Sequence, residues 1–307
     1  MTPPRRRFLR LAAGIAALPA LSGFARAQSY PARPVRVIVP YSPGGPTDVC
    51  ARLIAQKLSD RLGKQFYVED IAGAGGNIGT GQAARTAPDG YTILITVNSY
   101  VINPTLYEKV PYDALKDFQA VTQVAIFQSA MFVHPSVPAR TVAELVALIK
   151  ANPNKYSFAS PGFGTPSHLL GEQFRVATSV DLVHVPYGGS GSAVTAVVAG
   201  NPSIGFAALS AALPFIQAGQ LRALAVMSQH RSQALPDLPT IAEAGYPDLD
   251  GDAWVGVLVP AGTPKDVTAK LYREIVEIIN EPDTPRNDWR RSALSPWGTA
   301  PSNSPHS

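Results

Sequence analysis

Cysteine is nearly absent from this chain: Cys50 is the only one among 307 residues. No internal disulfide is then possible, so the fold must rest on its apolar core alone, which a chain of about 280 residues can supply. Acidic residues are missing before Asp48, and beyond the first segment no apolar run reaches the ~18 residues needed to span a bilayer. The signatures of several enzyme classes are missing too. There is no G-x-x-x-x-G-K-[ST] loop, Ser190 and Ser192 both miss the G-x-S-x-G elbow, and Gly73-Ala74-Gly75 is followed by Ile78 where a dinucleotide fingerprint needs a third glycine. None of the five histidines is spaced with another, or with the cysteine, as a metal pair. The residues therefore call for no cofactor and no metal, and they argue against an enzyme.

What is present begins with a targeting signal. Arg5, Arg6, Arg7 and Arg10 precede an apolar stretch over 11–21, and Ala25-Arg26-Ala27 offers the small residues that a signal peptidase reads. Residues 1–27 are expected to be removed. R-R-R-F-L also fits the twin-arginine pattern, so export by the twin-arginine or the Sec route stays open; both lead to the periplasm. Cys50 lies too far past the cleavage site to carry a lipid anchor. Five of the 26 basic residues lie in the signal, leaving 21 against 22 acidic ones. The mature chain is near neutral, which removes any argument for nucleic-acid binding.

Beyond the signal, short apolar β-type runs alternate with helical periodicity. The run over 35–39 reads as a buried strand, and Val49, Leu53, Ile54, Leu58 and Leu62 recur at three- and four-residue spacing, giving a helix over 48–62 stopped by Gly63. Cys50 belongs beside that stripe as a small buried hydrophobe. Similar strand–loop–helix units recur through residue 218, and Thr141-Val142-Ala143-Glu144 reads as a capping box. The alternation predicts an α/β fold with mainly parallel sheets. Two glycine-free apolar stretches, 121–135 and 221–228, suit strands crossing between two lobes. The expected division is 28–125 plus 226–281 for the first lobe and 126–225 for the second, in a monomer.

The chemistry is concentrated in four glycine-rich loops, each between a strand's end and a helix's start: Y-S-P-G-G-P-T-D (41–48), G-A-G-G-N-I-G (73–79), S-P-G-F-G-T-P-S-H (160–168) and P-Y-G-G-S-G-S (186–192). In open α/β sheets that edge is where ligands bind. Gly44, Gly45, Gly162 and Gly164 would let backbone N–H groups approach a ligand, and helix N-termini attract carboxylate or phosphate without Arg or Lys. Ser42, Thr47, Asn77, Ser160, Thr165 and Ser190 would add neutral hydrogen bonds. Asp48 and Asn98 would discriminate among ligand groups, Tyr41 and Tyr187 would wall the cleft, and His168 would cap a helix or line the cleft. Val39-Pro40-Tyr41 before Gly44-Gly45 is echoed by Val185-Pro186-Tyr187 before Gly188-Gly189, as two facing loops would show.

These segments, with A-P-D-G-Y-T-I, V-H-V-P-Y, L-R-A-L-A-V, L-P-D-L-P-T-I-A-E-A-G-Y and P-A-G-T-P, resemble the Bug family of extracytoplasmic receptors for tripartite tricarboxylate transporters, from about residue 30 to 280. The resemblance implies a two-lobed type II periplasmic-binding-protein fold that closes around a small carboxylate, with a membrane permease as partner. It implies that main-chain amides and hydroxyls of the loops 41–48 and 160–168 meet the ligand. A periplasmic sensor that signals its ligand to a partner shares these features. The chain departs from the family at Gly188, where many members carry Lys, at Ala207, where many carry Asp, and at Ile71-Ala72, where many carry Arg-Pro. It departs again over 282–307, where five prolines and five serines predict a disordered tail.

Overall fold

The computed structural model describes residues 30–249, 251–281 and 294–296. Contacts divide the chain into Met1–Ala32 and Arg33–Ser307, and every element below lies in the second unit. The expected signal over 1–27 lies outside the described residues.

The first strands are β1 (Val35–Val39), β2 (Phe66–Asp70), β3 (Thr92–Val97) and β4 (Phe118–Phe127), interleaved with α1 (Pro46–Leu62), α2 (Asn77–Ala84) and α3 (Ser99–Leu106). A second series follows: β5 (Ser129–Val133), α4 (Val142–Lys150), β6 (Ser157–Ser160), α5 (Pro166–Thr178), β7 (Val183–Pro186), α6 (Ser190–Val198), β8 (Ile204–Ala208), α7 (Leu209–Gln217) and β9 (Arg222–Val226). β10 (Ala253–Pro260), α8 (Lys265–Asn280) and β11 (Leu294–Pro296) come last. Local signals set these limits as expected. Pro46 and Pro166 open α1 and α5, Gly63 ends α1 in the left-handed region, and the Thr141 hydroxyl accepts the Glu144 N–H at 3.1 Å.

Two sheets form, ordered β11-β4-β10-β3-β1-β2 and β7-β6-β8-β5-β9. β1 pairs in parallel with β2 and β3, and β6 with β7 and β8, but β10 is antiparallel to β3 and β4, and β5 is antiparallel to β8 and β9. The sheets are thus mixed, which qualifies the expectation of mainly parallel ones. The reason is the crossing. β4 leaves the first sheet at the end where its loops face the other lobe, so after Gln128 the chain enters the second sheet from its facing end and β5 must run away from it. β10 returns to the first sheet under the same constraint.

Each sheet carries its own core. Ile38, Leu94, Phe118 and Leu258 pack together in the first lobe; Met131, Leu145, Phe158, Phe174 and Phe206 do so in the second. The second crossing comes later than expected. Met227, Ile241 and Leu249 join the second lobe's core, and the Val226 N–H donates to Pro239 O at 2.9 Å while the Ile241 N–H donates to Val226 O at 2.8 Å. Residues 227–249 therefore pack with the second lobe, not the first, because the open edge of β9 offers them backbone partners and apolar cover. The tail needs a similar correction at one point. Leu294–Pro296 pairs antiparallel with β4, whose outer edge would otherwise have bare backbone groups; the rest of 282–307 lies outside the described residues.

Cys50 is fully buried, and burial pushes its thiol well above the ordinary value, as fits a small core hydrophobe. On α8 the residues Val267, Leu271, Ile275 and Ile278 are buried, while Arg61 of α1 draws in Glu274 at 2.7 Å and Glu281 at 3.2 Å from its rim. Such surface pairs add little, so the apolar stripe anchors the helix. Ile275→Ala is accordingly expected to lower stability by about 2–4 kcal/mol, read as a shifted urea midpoint; a loss under about 0.5 kcal/mol would show that α8 is not part of the core.

Candidate functional site

The loops at the facing ends of the two sheets touch. The Ser42 N–H donates to Gly188 O at 2.9 Å, Ser42 Oγ lies 3.1 Å from Ser192 Oγ, and the Tyr107 hydroxyl donates to Phe163 O at 3.0 Å. Between these contacts lies a cavity of about 20 Å³, bordered by Tyr41, Gly45, Thr47, Thr165, Ser167 and Ser190 among others. That is the space of roughly one water molecule. Pro46, Pro166 and Ser190 on its wall are the first residues of α1, α5 and α6, so three helices, one from the first lobe and two from the second, start there. Their N-cap residues, Gly45, Thr165 and Gly189, give no side-chain cap. Thr165 instead turns its hydroxyl to Gly162 O at 2.7 Å. Among the helices of the described residues only α4 carries a side-chain cap, from Thr141, so it is where these three ends meet, more than their lack of caps, that sets them apart. The first-turn N–H groups and the positive ends of three helix dipoles thus converge on one small space. Among the described residues, no charged side chain borders it.

Several candidate residues serve this arrangement from behind. Tyr41 is buried with its hydroxyl on Ser99 Oγ, and burial raises its pKa. Asp48 Oδ2 accepts the Gly44 N–H at 2.9 Å, which fixes the turn of the first loop. Asn77 Oδ1 accepts from Asn103 Nδ2 at 2.8 Å and from the Tyr112 hydroxyl at 3.1 Å, so it points into the first lobe. Asn98 Oδ1 takes the Trp254 N–H at 2.9 Å and so braces β10. Ser160 is buried 2.6 Å from His184 Nε2, and Tyr187 packs against the second lobe's core. His168 holds the third loop, its Nδ1 accepting the Gly164 N–H at 3.1 Å. Gly44, Gly162 and Gly164 all have φ in the left-handed range, and they shape the loops without bordering the cavity. The two V-P-Y echoes do face each other, although β1 is central in its sheet and β7 lies at an edge. Gly188 and Ala72 are both small where they approach across the cleft, whereas Ala207 is buried in the core.

Reading the sequence missed Ser167, Asn103 and the Tyr107–Phe163 contact. Asn103 Nδ2 also donates to Gly75 O at 3.0 Å, and a Cβ on Gly164 would fall 2.1 Å from Asn103 Oδ1. His184, which no spacing in the sequence singles out, has its ring centroid 4.2 Å from that of His168.

Gly191, in the first turn of α6, tests the apposition of the lobes. Its φ is outside the left-handed range, so alanine suits it, yet a Cβ would fall 2.1 Å from Pro43 O across the cleft. Gly191→Ala is expected to hold the lobes apart, raising the radius of gyration in X-ray scattering with a melting temperature within about 2 °C of the parent; an unchanged radius would show that the lobes accommodate the methyl. The histidine pair sets a pH dependence. Burial, then the neighbouring His168, lowers the pKa of His184 to about 4, and burial also lowers that of His168. The unfolded chain binds the proton first, so the contribution of neutral His184 is complete above about pH 6.5 and is lost as pH falls toward 4. The stability difference between the parent and His184→Gln should therefore shrink from pH 7.5 to pH 4.5 in urea titrations; a constant difference would contradict it.

Comparison with known proteins adds the lineage. Residues 50–297 match the model of the tripartite tricarboxylate transporter family receptor. BugT of Bordetella pertussis is 38% identical over 275 residues, covering 88% of this chain and 84% of BugT. Two solved structures share the fold: R. palustris Rpa4515 with adipate, at 32% identity, TM-score 0.84 and coverage of 87% and 89%, and MatC from Rhodopseudomonas palustris with bound malate, at 29%, 0.82 and coverage of 87% and 90%. The two-lobed fold, the crossing strands and the extent of these matches agree: the chain belongs to the tripartite tricarboxylate transporter receptor family.

Proposed function

We propose that this protein is a periplasmic receptor that captures a small carboxylate between its lobes and delivers it to the membrane permease of a tripartite transporter. The observation that carries the reading is the convergence of three uncapped helix N-termini, drawn from both lobes, on a space without charged side chains. A carboxylate there would accept N–H groups from each lobe and so favour the closed arrangement over the open one. Each helix end contributes about 0.3–1 kcal/mol when exposed and up to ~2 kcal/mol when partly buried, so three of them suffice for selective anion binding. Adipate and malate in the two related structures are acids of this class. Among the described residues the cavity wall carries hydroxyls and main-chain donors but no His, Cys, Lys or carboxylate, a lining suited to binding and holding an acid. Among the described residues no helix is long and apolar enough to cross a membrane, in keeping with export into the periplasm by the expected signal.

The test is a melting-temperature screen against mono-, di- and tricarboxylates, supported by analysis of acid carried through native purification. A ligand at about 100 times its Kd adds ~2.7 kcal/mol, a shift of roughly 4–6 °C for a chain of this size. Failure of every acid, with none carried through purification, would end the carboxylate reading. For the acid found, Ser190→Pro should weaken binding about tenfold or more, because it removes a main-chain donor at a first-turn position that tolerates proline. Ser190→Ala, which keeps that donor, should cost less. Equal affinities for both variants would show that the α6 terminus does not hold the ligand.

A further inference from the structure

Directly behind the first ligand loop sits an arrangement that ligand capture alone does not require. Asp48, in the first turn of α1, and Asp70, at the end of β2, share one guanidinium: Arg52 Nε lies 2.6 Å from Asp48 Oδ1, and Nη2 lies 2.7 Å from Asp70 Oδ2. Asp48 is almost fully buried. Oδ1 of Asp70 is buried without a hydrogen-bond donor, and Oδ1 of Asp48, also buried, meets only the Arg52 guanidinium, at an angle that makes no hydrogen bond. The remaining charged and titratable groups nearby do not fill that gap. Glu69 is turned to Arg36 at 2.5 Å, and Cys50 is a buried thiol whose pKa burial raises. Two carboxylates and one half-exposed guanidinium leave a net negative charge and one buried acceptor, Asp70 Oδ1, without a donor. A single proton on the pair removes both deficits.

We propose that Asp48 and Asp70 form a proton-binding site coupled to the ligand cleft, so that the receptor takes up a proton together with its anion. The coupling is electrostatic and direct. Asp48 Oδ2 holds the Gly44 N–H of the ligand loop, and Asp48 adjoins Thr47 on the cavity wall. An anion arriving at the α1 terminus brings a further negative charge beside the pair, which favours its protonated form. By linkage, the protonated receptor then binds the anion more tightly than the ionised one. The proton moves from solvent onto a carboxylate oxygen of Asp70, the member of the pair that is less buried. Burial foremost, then the Asp48 charge, raises the Asp70 pKa to about 6, which places the exchange near neutrality. In the folded protein alone, the sign is opposite to that of His184. The Asp70 contribution to stability is complete below its unfolded pKa near 4 and is lost as pH rises through about 6.

This coupling rests on the reading of the cleft as an anion site, and the experiment separates the two. Carboxyl carbons of the aspartates are followed by NMR from pH 4 to pH 8 in the ligand-free protein and in Asp70→Asn. One aspartate is expected to titrate near pH 6 in the parent and to be missing from the variant; titration of every aspartate below pH 5 overturns the shared proton whatever the cleft binds. Calorimetry then follows malate and adipate, and any acid found by the melting screen, between pH 6 and 8, where aliphatic carboxylates stay ionised. In buffers of different ionisation heat the parent is expected to take up a fraction of a proton on binding. Its Kd should rise about threefold to tenfold from pH 6 to pH 8. Asp70→Asn, which resembles the protonated form, should bind with the tight low-pH affinity at every pH and take up no proton. Binding without proton uptake in the parent, or the same pH dependence in the variant, overturns the coupling. Absence of binding by every acid counts against the anion reading and the coupling with it, while the free-protein titration still decides the proton site.

Discussion

Main chain meets main chain across the cleft, and this requirement governs the rest of the structure. Ser42 N–H reaches Gly188 O, and Cβ atoms at Gly75 and Gly191 would fall 2.1 Å from Phe163 O and Pro43 O respectively. Contact this close needs residues without side chains at those points, which is why the loops are rich in glycine on both sides. It also turns the helix N-termini toward each other: a loop short enough to bring its backbone to the cleft begins its helix there. The proposed ligand site is thus a consequence of how the lobes touch, and donors from both lobes are placed by the same geometry.

The crossing strands make that contact adjustable. The chain passes between the lobes after β4 and again just before β10, and each time the entering strand lies antiparallel inside the other sheet, held on both sides. Each lobe is therefore stiff, while the links between them are short. Backbone bonds across the cleft are few and neutral, so each contributes only about 0.5–1.5 kcal/mol. An anion with partners on both lobes is large against such terms, and a modest differential affinity moves the population.

Much of this was legible in the sequence because it follows from local rules. Pro46 and Pro166 at helix starts, Gly63 at a helix end and the Thr141–Glu144 box are read within a few residues, and the glycine-rich loops mark the cleft edge. The polar residues of those loops were less legible. Asn77, Asn98 and Asp48 look like ligand groups by type, yet each satisfies a buried partner: Asn103, the Trp254 amide and the Gly44 amide. Buried backbone and amide groups need partners, and a loop side chain meets that need before it meets a ligand's. The affiliation of residues 227–249 was illegible for another reason. Their apolar residues have no periodicity, and only the open edge of β9 tells which lobe they cover.

Among the described residues no basic side chain borders the cavity, which suits the delivery proposed for it. Burying a carboxylate against Lys or Arg requires both charges to lose water, and the desolvation can exceed the attraction gained. Helix termini provide donors that are already oriented, belong to neutral groups and need little reorganisation when the lobes close. The anion then loses its own hydration but strips no counter-charge. Binding as proposed depends on both lobes being in place, so opening by one lobe would remove much of the donor set at once. An ion pair with a flexible side chain would persist through such an opening. A site built from backbone thus combines capture when closed with release when opened, which a single strong charge at the same position would oppose.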